Sequence, residues 1–311
     1  MSNKVIELTE AVREIPQDGA EIALGGFAIT RNPIAFVNEM IRQKKKNITL
    51  YEIIGSMDAD LLVGANCVNT FIYSGGSLDR FGRLGRVNEA IERNTMKVEE
   101  YSGLSISLRF LAGALGIPFV PTKTLLGTDM LTNLINKRNN AVKVMNSPFL
   151  KEDQVVVLKA INPEFAIIHA QIADEKGNII IEGPKWDIEL ALSAKKLFVT
   201  VEQIVSNKYI KKYPEKVSIP SISTYRVIEV PYGAFPTSVY HCYDYYSNLI
   251  KEYARVNGDA VQFNEFLQKY ILNSKDHSDF LLKTCTLDEL LHLKVDPEYG
   301  YPAELGGKQD D

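Results

Sequence analysis

The residues best placed to do chemistry lie in the run Glu21-Ile22-Ala23-Leu24-Gly25-Gly26-Phe27-Ala28-Ile29-Thr30-Arg31-Asn32-Pro33. An apolar strand ends in two glycines, and a helix start follows almost at once. Glycine has no Cβ, so a ligand can approach the backbone closely. Asn32 is a good N-cap and Pro33 a good first helical residue. The helix that follows turns its free amides and positive dipole end toward the glycines. Arg31 adds a planar, two-pronged donor suited to a carboxylate. The combination suits an acyl oxygen together with a carboxylate.

Further segments bear candidate groups. Tyr73-Ser74-Gly75-Gly76-Ser77, with Arg80 beyond it, ends another apolar strand in small hydroxyl-bearing residues. Open α/β sheets bind ligands at that edge. His169 closes an apolar strand and is followed by the turn formers Asp174 and Asn178. Such a histidine is either a general base or a satisfied structural group. The segment from Val230 to Tyr240, with Tyr243-Asp244-Tyr245-Tyr246 after it, is dense in proline and aromatics, which makes a rigid extended surface. It suits an acyl-site wall, a subunit contact or core packing. No G-x-S-x-G elbow is present.

The elements that must position these groups follow from periodicity. Strands are expected at Glu21–Leu24, Ile48–Ile54, Val68–Tyr73, Ile117–Val120, Val155–Leu158, Ala166–Gln171, Ile179–Ile181, Leu197–Val201 and Tyr225–Val230. Helices are expected at Thr9–Ile15, Pro33–Gln43, Ala59–Val63, late in Arg80–Arg93, at Leu104–Leu115 and at Asp187–Ala194. Residues 123–150 give no clear pattern. From about residue 247 the chain reads as helices, with a polar tail from Gly306. This alternation implies an α/β fold with an open, mostly parallel central sheet and helices on both faces. Residues 1–311 read as a single domain, with 247–311 a mainly helical C-terminal extension.

Composition excludes several classes. A net charge of −4 over 311 residues argues against a nucleic-acid binder, and Lys44-Lys45-Lys46 reads as a solvated helix end. Cys67, Cys242 and Cys285 are far apart with no C-x-x-C spacing, so neither a metal site nor a disulfide framework is expected. The N-terminus lacks a signal-peptide pattern, and no apolar run approaches a membrane span. A soluble, cytoplasmic protein is expected.

The Gly25-Gly26-Phe27 loop resembles that of the A (alpha) subunits of family I CoA-transferases. Most of that family has glycine where Arg31 stands; arginine followed by x-Pro resembles the glutaconate CoA-transferase subgroup. The Glu100-Tyr101-Ser102 stretch, the run Leu115 to Pro121, the stretch from His169 to Asn178 and Pro231-Tyr232-Gly233-Ala234 are similar to the same family. The resemblance implies transfer of CoA between an acyl-CoA and a carboxylic acid, with CoA a substrate and no metal or redox cofactor. It implies that the amides of Gly25, Gly26 and Phe27 support an oxyanion. It further implies that Arg31 holds a distal substrate carboxylate, and that Tyr73, Ser74 and Ser77 add hydrogen bonds. The family's glutamate nucleophile lies in a Ser-Glu-Asn-Gly-type motif on the B (beta) chain. No such motif occurs here, so the nucleophile is expected from a partner chain. The same scaffold hosts ring-opening hydrolases and decarboxylases. In the hydrolases a catalytic acid falls within the segment Val98 to Gly103, and Gly103 stands near that position, with Glu100 just before it.

Overall fold

The computed structural model describes residues 3–137, 139–149, 152–296, 298, 300 and 301; the polar tail read from Gly306 lies outside them. The strands are β1 (Glu21–Leu24), β2 (Ile48–Tyr51), β3 (Val68–Tyr73), β4 (Lys97–Glu100), β5 (Phe119–Thr122), β6 (Val142–Asn146), β7 (Gln154–Lys159), β8 (Phe165–Asp174), β9 (Ile179–Ile180), β10 (Lys196–Val205) and β11 (Arg226–Glu229). The helices are α1 (Leu8–Arg13), α2 (Ile34–Arg42), α3 (Met57–Gly64), α4 (Gly85–Glu92), α5 (Gly103–Ala114), α6 (Asp129–Asn136), α7 (Ile188–Ser193), α8 (Asn207–Lys212), α9 (Ser247–Val256), α10 (Ala260–Phe266), α11 (His277–Thr284) and α12 (Leu287–His292).

The main sheet has the order β11-β10-β8-β1-β2-β3-β4, all parallel, with β9 antiparallel on β8. The chain steps outward from β1 to β4 on one side and from β8 to β11 on the other. The direction reverses between β1 and β8, where doubly wound sheets open a crevice at their carboxyl edge. Alternate residues of each strand point to opposite faces. Ile22, Leu24, Leu50, Phe71 and Ile167 join the core under α1 to α3 and α9 to α11. Ala23, Ile72, Ile168 and Val199 join the core under α5 and α7. The sheet therefore carries helices on both faces.

β1 and β3 coincide with the expected strands. β2 stops at Tyr51, three residues early, where the chain bends toward Gly55. α2 begins at Ile34, and Asn32 makes no capping bond: its side chain donates instead to Asp58. β4 was not expected, because Lys97-Val98-Glu99-Glu100 is an edge strand with no buried residue. The unplaced stretch 123–150 supplies α6 and β6. With β5 and β7, β6 forms a separate antiparallel sheet, order β5-β7-β6. β5 lies two residues later than expected and belongs to this small sheet.

The C-terminal helices share the larger core. Tyr253 and Asn257 of that region donate to Oδ2 of buried Asp60 on α3, at 2.7 and 3.2 Å. Burial raises the Asp60 carboxyl to about 6, against the opposing pull of these bonds and of the Val87 amide. Among the described residues no helix is long and apolar enough to cross a membrane. Neither do they contain a cluster of His, Cys, Asp and Glu suited to a metal ion. The three cysteines are free thiols.

Gly64 at the end of α3 is where the ring of Phe263 lands. A Cβ there would lie 2.4 Å from the ring, too close for any real contact. Gly64→Ala is expected to push α10 off the sheet layer and cost about 1–3 kcal/mol, read as a lower urea midpoint. An unchanged midpoint would show that the helical region yields freely.

Candidate active site

The loops after β1, β2, β3 and β4 form one continuous row at the carboxyl edge. Gly26 (φ 101°) lies so close to Asn32 that a Cβ would sit 3.0 Å from its backbone. Asn32 Nδ2 donates to Asp58 Oδ2 at 2.9 Å, and Asp58 Oδ1 accepts from the Ser56 amide at 3.1 Å. The neighbouring Gly55 exchanges backbone hydrogen bonds with the next loop, donating to Gly75 O and accepting from Ser77 N. Gly103, the first residue of α5, borders Ser74: a Cβ there would be 3.9 Å from Ser74 Oγ.

Arg31 does not serve as an open clamp. Its guanidinium is 1% exposed and closed on Asp187, with Nη2–Oδ1 at 2.9 Å and Nη1–Oδ2 at 3.1 Å. Nη1 also donates to His169 O and Nη2 to Pro184 O, each at 3.0 Å. Both prongs are thus spent inside the chain. Arg31 sits at φ 56°, a left-handed backbone that suits glycine; the non-glycine residue is strained there by about 1–2 kcal/mol. The buried fork offsets that strain.

The three loop amides are also occupied. Gly25 N–H continues the ladder to Ile167 O at 2.9 Å, Gly26 N–H points to Asp187 Oδ2 at 3.3 Å, and Phe27 N–H closes a turn on Thr30 O at 2.9 Å. The expected oxyanion donors therefore stabilise the loop itself. Phe27 turns its ring outward and stacks on half-exposed Trp186, centroids 4.4 Å apart.

His169 is fully buried and satisfied. Nδ1 meets Thr200 Oγ1 at 2.9 Å and Nε2 meets Glu202 Oε1 at 2.8 Å, so the ring is a structural post rather than a general base. Glu202 is the hub of this corner. It also accepts from the amides of Tyr232 and Gly233 and from the Tyr243 hydroxyl at 2.8 Å. Gly233 approaches His169 so closely that a Cβ would lie 2.8 Å from the ring. The Pro-Tyr-Gly-Ala segment is thereby fastened to β8 and β10. Burial, reinforced by Glu202, holds the Tyr243 hydroxyl well above its usual range.

Tyr73, Ser74 and Ser77 are half-buried at the row's far end. Ser74 Oγ donates to Ile53 O, Ser77 Oγ accepts from the Asp79 amide, and the Tyr73 ring stacks on Phe71. Ser77 accepts but does not donate in these bonds, and Ser74 donates but does not accept. Burial, followed by Glu100, pushes Tyr73 up to about 12, so it can only donate or accept as a neutral phenol. Glu100 ends the edge strand exposed to solvent. No hydrogen bond joins Arg31 to Ser74 or Ser77 among the described residues: the Arg31 guanidinium bonds to Asp187, His169 and Pro184, the serine hydroxyls to Ile53 and Asp79.

Beneath the row lies a carboxyl pair that sequence reasoning missed. Glu52 is 2% exposed and neither of its oxygens has a hydrogen-bond partner among the described residues. Burial first, and Asp58 second, raise it well above the usual carboxyl range. Burial lifts Asp58 itself to about 6, against the Asn32 and backbone hydrogen bonds that favour the anion. Asp187 and Glu202 were missed as well. Glu202 had a signal, a carboxylate closing the apolar run Leu197–Val201, as His169 closes an apolar run of its own. Asp187 had none, since its partner is 156 residues away.

The family model for coenzyme A transferase matches residues 5–230. The A subunit of glutaconate CoA-transferase from Acidaminococcus fermentans is 32% identical over 97% of this chain and 98% of its own. The A subunit of 3-oxoadipate CoA-transferase from Pseudomonas knackmussii is 31% identical over 90% of this chain and 98% of its own. The crystal structure of glutaconate coenzyme A-transferase from A. fermentans superposes with a TM-score of 0.90 at 31% identity, covering 96% of this chain and 98% of that one.

Two outcomes are expected from this geometry. Asp187→Ala leaves the Arg31 cation buried and unpaired, which costs about 3–5 kcal/mol in urea unfolding. Arg31→Leu with Asp187→Leu recovers most of that loss; equal losses in the single and double variants would deny the pairing. Glu52 has a raised folded pKa, so its contribution is intact below about pH 4.5 and is lost as pH rises through the folded value. Glu52→Gln is therefore expected to be more stable than the parent at pH 8, with the gap closing toward pH 4. A gap that widens toward acid pH would reverse the assignment.

Proposed function

This chain belongs to the coenzyme A transferase family, and we propose that it is the A subunit of a glutaconate-type CoA-transferase whose attacking carboxylate comes from a B subunit. The observation that carries the reading is the state of the carboxylates behind the glycine-lined row. Glu52 and Asp58 are sealed beneath it, Asp187 is locked on Arg31, and Glu202 is saturated by four hydrogen bonds. None is free to attack a thioester.

The partner's glutamate would attack the acyl-CoA carbonyl, expelling CoA thiolate and leaving an acyl-glutamyl anhydride. The thiolate then attacks the glutamyl carbonyl, releasing the first acid and forming a glutamyl-CoA thioester. The acceptor acid collects CoA by the reverse steps. This chain's part is to shape and wall the acyl pocket. Ser77 and Ser74 present hydroxyls, Gly75 and Gly103 give room, and the Phe27–Trp186 pair supplies an apolar side. With Arg31 closed, a dicarboxylic acyl group would find its distal donors among these hydroxyls and on the partner. Coenzyme A is a substrate, and the chemistry needs no metal or redox group. A cytoplasmic location accords with such a role.

The complex with its B subunit is expected to exchange CoA between an acyl-CoA and acetate. Borohydride should then trap a glutamyl-CoA thioester on the partner, and this chain alone should be inactive. Ser77→Ala is expected to lower kcat/KM about 5–10-fold, the worth of one hydrogen bond. Free CoA accumulating without acceptor acid, in a manner abolished by Glu100→Gln, would instead establish the ring-opening hydrolase reading.

A further inference from the structure

A cleft of about 980 Å³ opens at the opposite end of the sheet, toward the amino ends of β1, β3 and β4. Its floor is the sheet face at Tyr51, Thr70 and Ile72, and one wall is α5, which contributes Arg109. Arg109 is 4% exposed, and its Nη1 has no hydrogen-bond partner among the described residues. The guanidinium is held in place from behind: Nε donates to Lys159 O at 2.9 Å, and the group lies 4.5 Å from the Tyr101 ring centre. Arg109 forms no ion pair among the described residues. A buried cation on a cleft wall, held by its other contacts and without an ion pair, suits an oxyanion.

The cleft's remaining residues indicate what that anion belongs to. Lys97, Lys137 and Lys159 join Arg109 along it, opposed by Glu21 and Glu99. Four cations against two carboxylates leave a surplus of two positive charges. A single carboxylate needs only the arginine fork; the surplus suits a group bearing more than one charge. Asn69, Asn94 and Asn139 add amide donors and acceptors. The volume lies in the range that encloses a small organic molecule rather than a bare ion. We propose that this cleft binds a phosphorylated ligand of nucleotide size, with its phosphate on Arg109 and its ring edges against the asparagines. The site is separate from the glycine-lined row and does not depend on the reaction assigned to it.

Calorimetric titration of the full chain, in complex with its B subunit, with ADP, pyrophosphate and adenosine tests the proposal. ADP and pyrophosphate are expected to bind, and adenosine to bind about tenfold or more weakly than ADP. Arg109→Met should weaken ADP by about tenfold. Asn69 is exposed on the rim, so Asn69→Trp should block the cleft without touching the core, abolishing the heat while leaving acyl-CoA exchange unchanged. If Arg109→Met misfolds, the exposed pair Lys97→Ala with Lys159→Ala should still weaken ADP about threefold or more. Adenosine binding as tightly as ADP would overturn the proposal. So would wild-type affinity in Asn69→Trp, or no heat from ADP or pyrophosphate up to about 1 mM.

Discussion

The buried pair of Arg31 and Asp187 holds the carboxyl edge of this sheet together. Two oppositely charged groups, each 1% exposed, have left water, and the desolvation is repaid only because the geometry is complete. The guanidinium takes both carboxylate oxygens and two backbone carbonyls. The carboxylate takes a further amide from Gly26. Four segments meet there: the loop after β1, the middle of β8, the turn before α7 and, through the Arg31 amide, the strap at Ser238. Gly25 lies so close to Asp187 that a side chain would strike its carboxylate. The loop thus owes its shape to a charge it does not itself contain.

A second polar centre performs the same service one strand over. Glu202 gathers the His169 ring, two amides and a phenol, and so fixes the aromatic strap from Tyr232 to Tyr243. The two centres are joined through His169, whose ring serves one and whose carbonyl serves the other. The first lies at the point where the strand order reverses and the second beside it, where backbone groups would otherwise lack partners. Charge is used here for position; the residues of the neighbouring loop after β3 are small, neutral and hydroxyl-bearing.

Much of this was legible in the sequence, for identifiable reasons. β1 and β3 could be read to the residue because each is a short apolar run ended by glycine or a small residue. The strand edge of Ser74 and Ser77 was legible for the same reason. β4 and β6 escaped because they are largely exposed and mixed in polarity, with β6 burying only Val142. Arg31 was legible as a fork, but the sequence could not say that the fork closes inward, since that depends on a carboxylate brought near by the tertiary fold. Asn32 likewise looked like a helix cap until the neighbouring loop offered it Asp58. Local propensity was outvoted in each case by a partner from far along the chain.

The helices beyond residue 247 bear on where this fold can be cut. The coenzyme A transferase match ends at residue 230, yet Tyr253, Phe263, Phe266, Ile271 and Phe280 are all part of the core beneath α2 and α3. A fragment stopping at the end of the match would bare that apolar face and strip Asp60 of two of its hydrogen-bond donors. The smallest autonomous unit is therefore larger than the shared motif, and its closing stretch acts as a lid of hydrocarbon that the sheet cannot shed.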